Sequence, residues 1–216
     1  MDKYAQRSQE LAVKSQEDGF FDREIAPVTL PDGTEVAKDD GPRPSSTLEK
    51  LAELDEAFEG GGGVTAGNSC HLNDGAAAVL LMSEERAKEL GLQPRARIVT
   101  AATHGNEPEY MGVAPIGAIK KVLERTGMSM SDVDVVELNE AFAAQVVPCR
   151  EELGIDAEKL NPFGGAIALG HPFGMTGARI MGTLLNAMET DDHAVGLETM
   201  CVAGGQGEAM IVERLS

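Results

Sequence analysis

The chain is short of basic residues, cysteines and long apolar runs, and each shortage closes off a class of function. Of 216 residues, 36 are acidic and 18 basic, a formal net charge of −18 with histidine neutral. So negative a surface repels phosphate instead of releasing counterions from it, which argues against nucleic acid as a partner. The three cysteines, Cys70, Cys149 and Cys201, form neither a disulfide framework nor a metal-spaced cluster. No metal site is therefore expected, and a reducing compartment fits best. No window approaches the ~18 consecutive apolar residues of a membrane-spanning helix. Met1 to Leu11 is polar and charged, without the apolar region of a secretory signal, so the chain reads as soluble and cytoplasmic. What remains is a 42% apolar content. That is ordinary for a globular chain and enough to offset the entropy of ordering, so one compact domain or two small ones are expected. The acidic excess itself favours solubility.

Periodicity predicts a helix over Tyr4 to Asp18 ended by Gly19, an extended Glu24 to Leu30, a turn at Pro31-Asp32-Gly33 and loop over Lys38 to Ser46. A short amphipathic helix is expected over Thr47 to Phe58, broken by the four glycines Gly60 to Gly63. Ala76 to Met82 is an apolar run of strand length, followed by a helix from Ser83 with Glu84 and Glu85 in its first turn. Beyond Gly91, strands are expected at Arg97 to Thr103, Val133 to Leu138, His193 to Met200 and Gln206 to Val212. Helices are expected at Pro115 to Arg125, from Glu140, and at Thr176 to Met188. Strands alternating with helices imply an α/β layered sheet.

Three segments carry chemistry: Glu137 to Gln145, Asn161 to Gly177 and Met200 to Gly207. Each sits where a strand gives way to a helix or turn, the edge at which α/β proteins gather ligand-binding groups. His171, between Gly170 and Pro172, holds an imidazole suited to proton transfer on a constrained turn, although a lone histidine after glycine is often a packing residue. Cys201 follows an apolar strand and precedes Ala203-Gly204-Gly205, where N–H dipoles would lower its pKa; the alternative is a small buried hydrophobe. Asn139 is either a helix N-cap or an amide that holds a water or donates to a developing oxyanion.

Together, Asn139-Glu140-Ala141-Phe142, Gly164-Gly165-Ala166-Ile167-Ala168-Leu169-Gly170-His171-Pro172 and Cys201 to Gly207 resemble the thiolase family, and the likeness covers essentially the whole chain. Phe20 to Val28, Pro42-Arg43-Pro44 with Thr47 to Leu51, and Thr65 to Ser69 with Asn73 to Ala77 agree with it. The resemblance implies ping-pong acyl transfer between coenzyme A thioesters through an acyl-enzyme on a nucleophilic cysteine, with CoA as substrate and no resident cofactor. That nucleophile is not among the three cysteines here. By likeness His171 would take the nucleophile's proton and later donate to the thioester oxygen. Cys201 would act as acid and base at the acyl α-carbon. Asn139, through a water, and His171 would form one oxyanion hole, and the N–H near Ala203 part of a second. Arg43, Ala66, Ser69 and Cys70 would contact CoA.

Two departures stand out. Cys70-His71 replaces smaller polar residues, implying altered packing around the pantetheine arm. Ala203 replaces a more usual glycine, which favours 3-ketoacyl cleavage. Few other basic residues cluster near Arg43, so CoA is expected to bind weakly at low salt and better when repulsion is screened. The resemblance implies a thiolase-like αβα sandwich divided into 1–73, the remainder of a CoA-binding loop domain, 74–93, the last strand and helix of the N-terminal domain, and 94–216, the C-terminal domain. The apolar strand at Ala76 to Met82 would then lack its sheet, so a homo-oligomer or a partner chain carrying the N-terminal half is expected. A catalytically silent CoA-binding or regulatory subunit and a non-functional fragment are the alternatives.

Overall fold

A computed structural model describes residues 1–215. The first part of the chain holds α1 (Asp2–Glu17), a two-stranded hairpin of β1 (Val28–Thr29) and β2 (Glu35–Val36), α2 (Leu48–Ala52) and α3 (Glu84–Leu90). Then follow β3 (Ala96–Gly105), α4 (Ala114–Thr126), β4 (Val135–Leu138), α5 (Ala143–Leu153), the single turn α6 (Ala166–Leu169), α7 (Thr176–Thr190), β5 (Val195–Val202) and β6 (Gln206–Arg214). The last four strands form one mixed sheet in the order β3-β6-β5-β4, antiparallel except for the β4–β5 pair.

Strand alternation sorts the sheet's side chains into two cores. Val136, Leu138, Leu197 and Ile211 pack with Ile119 and Val122 of α4 and with Val146 and Cys149 of α5. On the opposite face Val135 and Val212 pack with Leu184, Ala187 and Met188 of α7. This is the expected α/β layering, with helices on both faces of the sheet. Glycine ends α3, α4 and α5 in the left-handed region at Gly91, Gly127 and Gly154, where a side chain would be strained.

Four expectations need correction. Ala76 to Met82 forms no strand. Val79, Leu80, Leu81 and Met82 are all exposed, because a strand exists only against a hydrogen-bonded neighbour and none pairs with this segment. The helix expected over Thr47 to Phe58 stops at Ala52. Glu56 beyond it bends back to accept hydrogen bonds from the backbone N–H groups of Gly61 and Gly63, at 3.2 and 2.9 Å, which draws the chain into the glycine turn. The helix expected from Glu140 begins three residues later, at Ala143. Its N-cap is Phe142, so the capping alternative for Asn139 falls away.

Candidate active site

The ends of β4 and β5 gather the three chemistry-bearing segments. Leu138 pairs with Thr199 across the parallel ladder, and the Asn139 N–H donates to the Thr199 carbonyl at 3.0 Å. This sets the Asn139-Glu140 turn beside the stretch of β5 that ends in Cys201 and Val202. Glu140 is fully buried, and its Oε2 accepts the Ile167 N–H at 3.1 Å, tying that turn to α6, which leads into His171. A strap from Asn68 to Asn73 touches both. The Asn68 carbonyl accepts from the Ala143 N–H and the Ala141 carbonyl from the Cys70 N–H. The Asn73 amide donates to the Leu169 carbonyl.

Asn139 is 1% exposed, and neither its Oδ1 nor its Nδ2 has a partner in the protein. Leaving such an amide unpaired costs roughly 1–3 kcal/mol, so the position is tolerated where something else binds it. His171 is half-buried and its Nδ1 lies 2.5 Å from Thr176 Oγ1. The Thr176 hydroxyl spends its one proton on the Pro172 carbonyl at 2.9 Å, so toward the ring it accepts. Nδ1 therefore carries the hydrogen and Nε2 keeps a free lone pair. Burial, aided by the Arg179 charge, lowers the His171 pKa and favours the neutral imidazole. The exposed Phe173 ring stands edge-on to it at 5.0 Å.

Cys201 departs from expectation. It lies inside β5, is buried, and burial raises its thiol pKa, outweighing the local backbone hydrogen bond that lowers it. N–H dipoles do not win here, because the Cys201 side chain is itself buried although the turn beyond it is open. The group is a protonated thiol at rest, suited to giving a proton before it takes one. Cys149, pushed up to about 12 by burial, is structural. Ala203 is exposed in the turn between β5 and β6; the left-handed positions are taken by Gly204 and Gly205, so its Cβ causes no strain.

Arg43, Ala66 and Ser69 line one cavity of about 170 Å³, together with Lys50 and His71. Cys70 stands outside that wall; its thiol is within electrostatic reach of Cys201 and is raised mainly by burial. The expected scarcity of basic groups around Arg43 does not hold in space. Lys50 and His71 join it, and no acidic residue lines the cavity.

A further group escaped the sequence reading. Glu137 on β4 and Glu198 on β5 stand side by side in the parallel register, and Arg179 of α7 reaches Glu137 at 3.9 Å. Glu137 Oε1, Glu198 Oε2 and Arg179 Nε are buried without partners. Burial holds the Glu137 carboxyl well above the usual range and pushes Glu198 up to about 7, Arg179 opposing both. A glutamate directly after Val135-Val136 and before Leu138, inside an expected strand, was the available signal. Raised folded-state pKa values mean that, between the ordinary 4.5 and about 7, the folded protein holds protons the unfolded chain has released. Stability should thus fall as pH rises through that window. Urea unfolding from pH 5 to 8 should show the decline, and Glu198→Gln should flatten it; an unchanged slope would assign it to general charge repulsion.

Fold and geometry define a layered α/β protein whose polar groups collect at the carboxyl ends of two parallel strands. Residues 92–214 match the family model described as "Thiolase, C-terminal domain", and residues 1–85 that described as "Thiolase, N-terminal domain". The chain belongs to the thiolase family. It is 47% identical to a probable acetyl-CoA acyltransferase of Staphylococcus aureus, over 99% of this chain and 55% of that protein. Its structure is similar to the Bacillus anthracis acetyl-CoA acetyltransferase (TM-score 0.95, 47% identity, 99% of this chain and 55% of the other). It is also similar to the dimeric peroxisomal thiolase of Saccharomyces cerevisiae (0.94, 45%, 99% and 54%). A third likeness is to the human mitochondrial 3-ketoacyl-CoA thiolase in complex with CoA (0.92, 38%, 99% and 54%). The chain thus spans about half the length of the relatives it matches. Among the described residues, no helix is long and apolar enough to cross a membrane, and no cluster of His, Cys, Asp and Glu suits a metal ion.

Proposed function

We propose that this chain supplies the acid/base half of a thiolase that cleaves 3-ketoacyl-CoA by thiolysis, or runs the reverse condensation of acetyl-CoA. The acyl-carrying cysteine would come from outside these 216 residues, on a partner chain or on another part of a longer protein. The observation that carries the reading is Asn139, a buried amide with both polar atoms unpaired, next to the turn bound to α6 and His171. An enolate or tetrahedral oxygen, reached directly or through a water, would satisfy it, and fixed donors at such an oxygen are commonly the largest catalytic contribution.

In this reading His171 Nε2 takes the proton of the nucleophilic thiol and returns it as a hydrogen bond to the thioester oxygen. The Cys201 thiol protonates the departing carbanion in cleavage, and its thiolate removes the α-proton in condensation. Its raised pKa suits the donor role. Ala203 N–H contributes to a second oxyanion hole. Coenzyme A is the substrate, with Arg43, Ala66 and Ser69 along its arm and Cys70 further in toward Cys201; no resident cofactor takes part. Residues 1–73 would cover the site, 74–93 would complete the N-terminal domain, and 94–216 form the C-terminal one. The exposed run at Ala76 to Met82 would pair with the missing strands, in a homo-oligomer or with a partner chain, and the three free thiols suit a reducing cytoplasm.

Cleavage of acetoacetyl-CoA by added CoA should be undetectable with the chain alone and appear when a chain bearing the nucleophile cysteine is supplied. No turnover from the combination, with both chains folded and associated, would defeat the proposal.

A further inference from the structure

The strap of residues 68–75 is bonded to both turns that carry the proposed oxyanion donors. At one end the Ala143 N–H donates to the Asn68 carbonyl at 2.8 Å and the Cys70 N–H to the Ala141 carbonyl at 3.0 Å, which ties that end to the turn carrying Asn139. At the other end Asn73 Nδ2 donates to the Leu169 carbonyl, a long bond at 3.4 Å, two residues before His171.

Contact at the second end is closer than that one bond suggests. The Asn73 amide lies against the Gly170 Cα and leaves no room there for a Cβ. Gly170 itself is held at φ +88°, a conformation that residues with a side chain rarely adopt. Two residues along the strap, a Cβ on Gly75 would stand 2.9 Å from Pro172 Cγ and 2.5 Å from Met175 Sδ. The strap therefore touches the residue on each side of His171, and also the residue before Thr176, whose hydroxyl holds the ring through Nδ1. Asn73 Oδ1 is buried with no partner in the protein. An unpaired buried carbonyl oxygen opposes folding, so packing alone does not account for an amide at this position.

We propose that Asn73 is a positioning residue: it holds the Gly170-His171 turn in register with the Asn139 turn and so sets the spacing of imidazole and carboxamide at which a developing oxyanion fits. It acts through His171, and the inference rests on the thiolase reading above. Two variants test it. Asn73→Ala removes the amide, and the near-isosteric Asn73→Asp keeps the bulk over Gly170 but has no N–H to give the Leu169 carbonyl. In the assembled enzyme both should lower kcat for acetoacetyl-CoA thiolysis about 10- to 100-fold, the scale of a small misplacement of a catalytic group, with KM for CoA within about twofold. In the full chain labelled with 15N-histidine, the His171 signal, assigned by its loss in His171→Gln, should report hydrogen on Nδ1. In both variants it should average between tautomers, because a ring that slips from Thr176 no longer has its proton placed. The His104 and His193 signals should stay as they are, which separates a displaced turn from an unfolded chain. An unchanged His171 signal in both variants would overturn the proposal, as would kcat within about twofold of the unsubstituted enzyme. Losses in Asn73→Ala with none in Asn73→Asp would assign the position to packing and overturn it too. No thiolysis by the unsubstituted assembled enzyme would overturn the thiolase reading instead, and the tautomer measurement would still decide whether Asn73 holds the ring.

Discussion

Asn139→Ala is expected to lower kcat for thiolysis by the assembled enzyme about 100- to 1,000-fold, the effect of deleting one oxyanion donor, on the order of 3–4 kcal/mol. The same substitution should leave the folded chain as stable as before, or more stable. Asn139 is buried with its Oδ1 and Nδ2 unpaired, so alanine removes a desolvation penalty of roughly 1–3 kcal/mol and leaves a space the size of an amide. A residue kept for packing would behave in the opposite way: urea unfolding would shift to lower denaturant and turnover would follow it down. The pair of measurements, steady-state cleavage and urea unfolding, therefore separates a catalytic amide from a structural one. Loss of stability with retained kcat would reject the oxyanion role.

Glu140 should give the mirror image. Its two carboxylate oxygens accept from four donors: Tyr4 Oη at 2.6 Å and Asn161 Nδ2 at 2.8 Å on Oε1, Ser8 Oγ at 2.6 Å and Ile167 N at 3.1 Å on Oε2. Through them it fastens α1 to the turn after β4 and to α6. Burial, followed by the Glu140 charge, raises the Tyr4 pKa well above 10, so the phenol stays a donor. Glu140→Ala strands the Tyr4 and Ser8 hydroxyls and the Ile167 N–H in a dry interior, while the Asn161 amide keeps the Leu138 carbonyl as acceptor. The loss should be about 3–5 kcal/mol, the scale seen when one partner of a buried charged network is removed, against a typical total of roughly 5–15 kcal/mol. Glu140→Gln keeps one acceptor oxygen but turns an NH2 toward two of the donors, so an intermediate loss of about 2 kcal/mol is expected. Chemical unfolding of both variants orders them: alanine least stable, glutamine between, unsubstituted most stable. Equal stability of all three would mean that the network contributes nothing.

The two neighbours in sequence thus divide the work. Asn139 projects an amide with no protein partner, whereas Glu140 has all the partners a carboxylate can hold. Nothing in their order along the chain separates these fates, since both are buried polar residues at a strand end. Their difference arises because α1 and α6 close over one side chain and not over the other.

The sequence by itself determined the alternation of strands and helices, the glycine boundary at Gly91, the three loop segments at strand ends, and the family. All of these depend on side-chain period and on the backbone freedom of single residues, which are local. Only the tertiary structure decided that Ala76 to Met82 forms no strand, that α5 waits for Ala143, that the Cys201 thiol is raised and not lowered, that the buried Glu137 and half-buried Glu198 stand together beside Arg179, and that Lys50 and His71 join Arg43. A strand needs a neighbour, a pKa depends on what covers the group, and a charge cluster is assembled from residues far apart in the chain. These are properties of through-space packing, so no reading of local pattern could have supplied them.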